Sequence, residues 1–177
     1  MDIIDTLSKI SAVLQARFYL RNTQLGRKVR LNGKPLIHDA GKIIIADRCR
    51  FIATMGGLEL GTGPDGTLEI GENTFINYGT SIAAMQHVKI GRDCNIGTYC
   101  MIMDNDFHRL EPEHRNEQPD SAPIVIGDNV WLGGRVIVLK GITIGDGSVV
   151  AAGSIVTKDI PPRSLAVGSP AKVVRQL

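Results

Sequence analysis

From Ile126 to Pro161 the chain repeats itself every six residues: Ile126-GDNVW, Leu132-GGRVI, Val138-LKGIT, Ile144-GDGSV, Val150-AAGSI, Val156-TKDIP. An aliphatic residue opens each unit. The position four further on is Val130, Val136, Ile142, Ser148, Ser154 and then Ile160, apolar or small every time. A six-residue period fits neither the helix nor the two-residue alternation of an ordinary strand. It is the hexapeptide repeat of a parallel β-helix.

Each unit supplies one short strand and a turn, and three units close a triangular coil. Coils stack at the inter-strand spacing of about 4.8 Å, so backbone groups pair along the axis. The first aliphatic points into the prism and the small residue four later fills the narrow corner. Segments such as Gly145-Asp146-Gly147 provide the corner backbone. The period leaves the handedness open. A thin interior of this kind needs Val and Ile rather than rings, which agrees with 5% aromatic residues and 20 glycines in a chain of 177.

The formal net charge of +2 is too small to point to nucleic acid. Asp2 and Asp5 precede any basic residue, the reverse of a signal peptide, and no apolar run reaches the length of a membrane span. A cytoplasmic protein is expected. Cys49, Cys94 and Cys100 lack CxxC spacing, and the last two fall on the small interior position after Ile90 and Ile96. They are read as reduced core thiols.

Along the chain, residues 1–28 form a helix and a basic segment. Ile3, Leu7, Ile10, Leu14 and Phe18 lie at helical spacing, widened by Ile4, Val13 and Leu20. Asp2 or Thr6 is the expected cap and Gly26 the expected stop. The apolar stripe is expected to cover the first coil; the basic residues Lys9, Arg17, Arg21, Arg27, Lys28 and Arg30 also allow peripheral membrane contact. Residues 29–162 form the β-helix, with degenerate repeats up to Leu68 and a turn at Gly61–Gly66. Clean units follow from Ile70, with Val88 and Lys89 read as a corner insertion. After Ile102-MDNDF the repeat stops until Ile126, so residues 108–125 are an extruded loop, where function is usually carried. Residues 163–177 form a tail.

His108 is the first residue of that loop, in Asp104-Asn-Asp106-Phe-His108. The rigid coil fixes its backbone, and the flanking carboxylates are expected to hold one ring nitrogen and leave the other as a base. His114 lies further out. Trp131 is read as packing at a corner. The spacings of His87, His108 and His114 do not match the three-histidine pattern of the γ-type carbonic anhydrases, so no metal is expected.

Four segments carry a resemblance: Phe75-Ile-Asn77-Tyr, Asp104-x-Asp106-Phe-His108, Ile126-GDNVWLGG, and Gly153-SIVTKDIPPRSLAVGSPAKVVR. The chain from Asn73 to Leu177 resembles the hexapeptide-repeat acyltransferases, and among them the maltose/galactoside O-acetyltransferases and their polysaccharide-modifying branch. The resemblance implies an all-β left-handed parallel β-helix, a homotrimer and direct acetyl transfer from acetyl-CoA to a sugar or glycan hydroxyl. It makes His108 the general base and Asn77 and Asp106 acceptor-binding residues. It puts the Gly134 N–H at the thioester oxygen, Ala152, Thr157 and Lys158 along the CoA arm, and Lys172 and Arg175 near its phosphates. An N-acetyltransferase acting on an amino sugar or other amine would carry the same repeat and tail. A non-catalytic β-helix scaffold or metal protein is the reading from a different class.

Overall fold

The computed structural model describes residues 3–177. Asp2, weighed above as a helix cap, lies outside the described residues, as do the side chains of Ile3 and Ile4. The chain makes one N-terminal helix, α1 (Ile3–Tyr19), and then a left-handed parallel β-helix of about seven turns.

Three parallel sheets form the faces of the prism. The first sheet stacks Gln24–Leu25, Lys42–Ile45, Thr67–Ile70, His87–Ile90, Ile124–Ile126 and Thr143–Ile144. The second stacks Arg30–Gly33, Arg50–Ala53, Phe75–Ile76, Asn95–Ile96, Trp131–Leu132, Val149–Val150 and Ser164–Val167, and ends with Lys172–Gln176 folded back antiparallel. The third stacks Leu36–Asp39, Glu59–Thr62, Ser81–Ala84, Met101–Met103, Ile137–Val138 and Ile155–Val156. The first coil strand, Gln24–Leu25, thus falls inside the segment 1–28 that the sequence assigned to helix and basic stretch. The chain leaves the helix at a turn where Thr23 N–H and Oγ1 both donate to the Leu20 carbonyl. The helix therefore ends at Tyr19, well before Gly26, because Gln24 is already extended and paired with Ile44.

The interior follows the six-residue register. Ile126, Leu132, Val138, Ile144, Val150 and Val156 are buried, and so are Val130, Val136, Ile142, Ser148, Ser154 and Ile160. Each buried Val, Leu or Ile contributes about 1.5–3 kcal/mol, and the stacked ladder ties every coil to the next. Buried hydroxyls are satisfied locally: Ser148 Oγ donates to the Pro161 carbonyl at 2.8 Å. The three thiols behave as core groups. Cys49, Cys94 and Cys100 are buried, and each Sγ donates to a glycine carbonyl of the following coil, at 3.1, 3.1 and 3.2 Å.

Two boundaries differ from expectation. Val88 and Lys89 are not a corner insertion but the middle of a four-residue strand, with Val88 fully buried between Leu68 and Ile124. The bend lies earlier, at Met85–Gln86. The loop likewise ends by Pro123, because Ile124 fills the same interior layer as Val88 and joins the ladder two residues before Ile126.

The helix docks on the second sheet by a face of which the spacing had marked only Leu20. Ala12, Ala16 and Leu20 are buried, and Gln15 Oε1 accepts the Gly33 N–H at 3.0 Å. The small alanines let the helix approach the strand Arg30–Gly33 closely. Leu7, Ile10, Leu14 and Phe18, the expected covering stripe, are instead 51–63% exposed. Thr6 lies inside the helix rather than at its cap. Among the described residues no helix is long and apolar enough to cross a membrane.

Candidate active site

The root of the extruded loop is pinned by a buried carboxylate. Asp104 is fully buried, and its oxygens accept the N–H groups of Met85, Gln86 and His87 in the preceding coil, at 2.7, 2.8 and 2.7 Å. It is therefore committed to the backbone and does not hold the ring of His108. Asn105 shapes the next step. Its Oδ1 accepts the Phe107 N–H at 2.6 Å, and its Nδ2 donates to Ser121 Oγ at 2.7 Å, clamping the two ends of the loop. Phe107 takes a left-handed backbone conformation, φ 62°, which turns the chain outwards at His108.

The ring of His108 is exposed, and its Nδ1 lies 3.1 Å from the carbonyl oxygen of Arg115. A carbonyl can only accept, so Nδ1 carries the proton and Nε2 presents its lone pair. The expected carboxylate support is replaced by a backbone carbonyl of the same loop. Asp106 is also engaged elsewhere, pairing with Lys140 at 2.6 Å. His108, Asp106, Lys140 and Asp120 line one cavity of about 150 Å³. His114 stands outside that cavity and pairs with Glu117 at 2.7 Å.

Asn77 lies at a different corner. It follows the second sheet, where Asn77, Gly97 and Gly133 each donate a backbone N–H to the next coil. It lines a larger cavity, about 580 Å³, with Phe75, Asn95, Asn129, Trp131 and Val149. The amide Oδ1 accepts the Tyr78 N–H at 2.9 Å, and Nδ2 has no acceptor among the described residues. Trp131 is not the packing residue expected. It is 56% exposed, mid-face rather than at a corner, and forms a wall of this cavity. The signal was its place one residue before an inward aliphatic, a position that always points outward.

Four of the remaining predicted positions divide between the same two corners, and the other two lie on the returning C-terminal strand. Gly134 and Ala152 follow the second sheet. A Cβ at neighbouring Gly133 would come within 2.6 Å of the Ala152 nitrogen, so the coils are in close approach there. The Gly134 carbonyl accepts from Gly153, while its N–H has no acceptor among the described residues. Thr157 and Lys158 are exposed after the third sheet, one coil beyond Leu139–Lys140, whose Leu139 N–H donates to Val156 at 3.2 Å. Lys172 and Arg175 are exposed on the returning strand, opposite Val167 and Leu165. Lys158, Lys172 and Arg175 have no ion-pair partner among the described residues, so all three are available to phosphates. The structure thus places His108, Asp106 and Lys158 at one corner and Asn77, Gly134 and Ala152 at another. Among the described residues no group of three or more His, Cys, Asp or Glu is arranged to hold a metal ion.

Known proteins share this architecture. Residues 123–158 match the family model described as the hexapeptide repeat of succinyl-transferase. A Staphylococcus aureus protein named as an acetyltransferase is 48% identical over 111 residues, covering 51% of this chain and 56% of its own. The Escherichia coli galactoside O-acetyltransferase is 39% identical over 110 residues, covering 62% of this chain and 54% of its own. The solved structure of a hexapeptide-repeat-containing acetyltransferase from Vibrio cholerae is 30% identical and superposes with a TM-score of 0.66, covering 97% of this chain and 82% of that one.

The chain belongs to the hexapeptide-repeat acyltransferase family.

The Vibrio cholerae member has also been solved in complex with acetyl coenzyme A, and that structure covers 98% of this chain with a TM-score of 0.66. The chain spans about half the length of the curated family members it matches, 56% and 54% for the two named above.

Proposed function

We propose that this chain transfers an acetyl group from acetyl-CoA to a hydroxyl of a sugar or glycan, with His108 as the general base. The observation that carries the reading is the His108 ring itself, whose Nδ1 is held by the Arg115 carbonyl so that Nε2 stands free at the edge of a cavity. The sugar acceptor is supported by the family member named as a galactoside O-acetyltransferase, and the cosubstrate by the one solved with acetyl-CoA.

In this mechanism the acceptor hydroxyl gives its proton to His108 Nε2 as its oxygen attacks the thioester carbonyl carbon. A C–O bond forms and the carbonyl electron pair moves onto oxygen, where the Gly134 N–H donates to it. A fixed donor of this kind is worth a few kcal/mol in the transition state. Collapse restores the carbonyl and breaks the C–S bond, and the imidazolium returns the proton to the departing thiolate. The positioned base contributes about 10²–10⁴-fold. Ala152 and Thr157 flank the extended arm of CoA, and Lys158, Lys172 and Arg175 meet its phosphates.

The reading includes a homotrimer. His108 and Asn77 belong to different corners of one prism and to different cavities. A site that uses both takes one corner from each of two subunits, and cyclic assembly repeats that junction. Leu7, Ile10, Leu14 and Phe18 leave an apolar face on α1 of the kind that association covers. A supply of acetyl-CoA puts the reaction in the cytoplasm.

The test is thiol release from acetyl-CoA across neutral sugars, acidic sugars and their amino counterparts, with the product mapped by NMR. Acetyl ester formation is the expected outcome. Exclusive acetylation of amines would replace this reading by the N-acetyltransferase one.

A further inference from the structure

The outer side of the second sheet carries a column that the mechanism above does not use. Arg30, Arg50, Phe75, Asn95 and Trp131 occupy equivalent positions on successive strands and so stand side by side on one surface. The upper members, Phe75, Asn95 and Trp131, line the 580 Å³ cavity that contains Asn77. The lower members, Arg30 and Arg50, line a cavity of about 260 Å³ between the sheet and α1, with Asn32, Ser8 and Phe75. Phe75 is common to both, so the two cavities adjoin at its side chain along one face.

The charge at the lower end is unbalanced. The fold neutralises other nearby arginines: Arg27 pairs with Asp47 at 2.9 Å, Arg48 with Glu72, and Arg92 with Asp128 at 2.9 Å. Arg30 and Arg50 have no carboxylate partner among the described residues. The one carboxylate lining that cavity, Asp5, is paired with Lys9 at 2.6 Å. The Arg50 guanidinium lies 5.2 Å from the Phe75 ring centroid, which fixes it over the junction of the two cavities. Arg50 lies one strand below Phe75 and Arg30 two strands below, about 5 and 10 Å along the axis. Two adjacent guanidiniums without carboxylate partners, one of them held over an aromatic ring, are suited to a planar or tetrahedral oxyanion rather than to a neutral hydroxyl.

We propose that Arg30 and Arg50 form an anion subsite of the acceptor site, so that the acceptor is a sugar bearing a carboxylate or phosphate one to two strands from the hydroxyl presented near Asn77. This rests on the acetyl-transfer reading for its acceptor but not for its anion binding. Phe75 and Trp131 give the sugar ring an apolar wall, Asn77 Nδ2 a donor, and the arginines the charge.

The experiment measures binding and transfer separately on the full chain. Titration calorimetry compares a glucuronate oligosaccharide, a nucleoside-diphosphate sugar and the neutral glucose oligosaccharide, on wild type, Arg50→Ala, Arg50→Lys and Arg30→Ala/Arg50→Ala. Wild type is expected to bind at least one anionic ligand about 10–100-fold more tightly than the neutral one. The double variant should lose that preference, and Arg50→Lys should keep part of it, with acetyl-CoA affinity and melting temperature as in wild type. The carboxylate and phosphate arms separate the two sources of the anion. Equal binding of neutral and anionic sugars, or a preference that survives in the double variant, overturns the proposal. Arginine-dependent anion binding without acetyl transfer would sink the functional reading and leave the subsite standing. Transfer that favours the neutral sugar would do the reverse.

Discussion

The carbonyl oxygen of Arg115 lies 3.1 Å from Nδ1 of His108, and this single contact decides which ring nitrogen is free. His108→Ala is expected to lower kcat by about 10²–10⁴-fold with little change in acetyl-CoA affinity. His114→Ala serves as the comparison and should stay within several-fold of wild type. Steady-state rates with one acceptor check this, and near-normal turnover in His108→Ala would show that the base is elsewhere.

Asp104 supports that geometry from beneath. Replacing it by Ala leaves three backbone N–H groups of the Met85–His87 bend without their acceptor. The expected cost is more than about 3 kcal/mol, read as a lower midpoint in urea. Asp104→Asn should lose less, because one amide oxygen still accepts. A variant as stable as wild type would mean that the bend holds itself.

The buried thiols set an alkaline limit. Burial pushes Cys49 and Cys94 up to about 11, from 9.0. Below pH 9 both states carry the neutral thiol and nothing is lost. Between pH 9 and about 11 the unfolded chain releases its protons first, so stability falls with rising pH by roughly 1–3 kcal/mol per thiol. Melting curves across this range should flatten in Cys49→Ala/Cys94→Ala relative to wild type. Native thiols should also react slowly with a disulfide reagent until the protein is unfolded.

The two faces of α1 should separate in mutation. Ala16→Asp or Leu20→Asp places a charge in the packed seam and should lower the melting temperature by many degrees. Leu14→Ser and Phe18→Ser remove exposed apolar groups and should leave the melting temperature of the isolated chain unchanged while weakening self-association in sedimentation. Equal thermal loss on both faces would show that the outer stripe is packed after all.

The sequence by itself determined the parts of this protein that depend on local period. The recurrence every six residues settles which side chains turn inward, and every one of those from Ile126 to Ile160 is buried. The interruption of that period locates the loop, and the loop locates His108. The outer surface is a different matter, because its neighbours come from different coils. Phe75 lies beside Asn95, 20 residues away, yet Asn95 lies beside Trp131, 36 residues away, because the whole loop intervenes. Each bend and insertion resets that offset, so the Arg30–Arg50–Phe75 column and the exposure of Trp131 emerge only once the coils are stacked. The helix shows the same limit. Its spacing marks an apolar stripe, but the sheet it meets accepts only a close approach, and the alanines supply that. Asp104 and Asp106 are near His108 in the chain, but the buried bend takes one and Lys140 the other. Tertiary structure decided these pairings because a carboxylate goes where it can satisfy the most donors, and proximity in the chain does not count those.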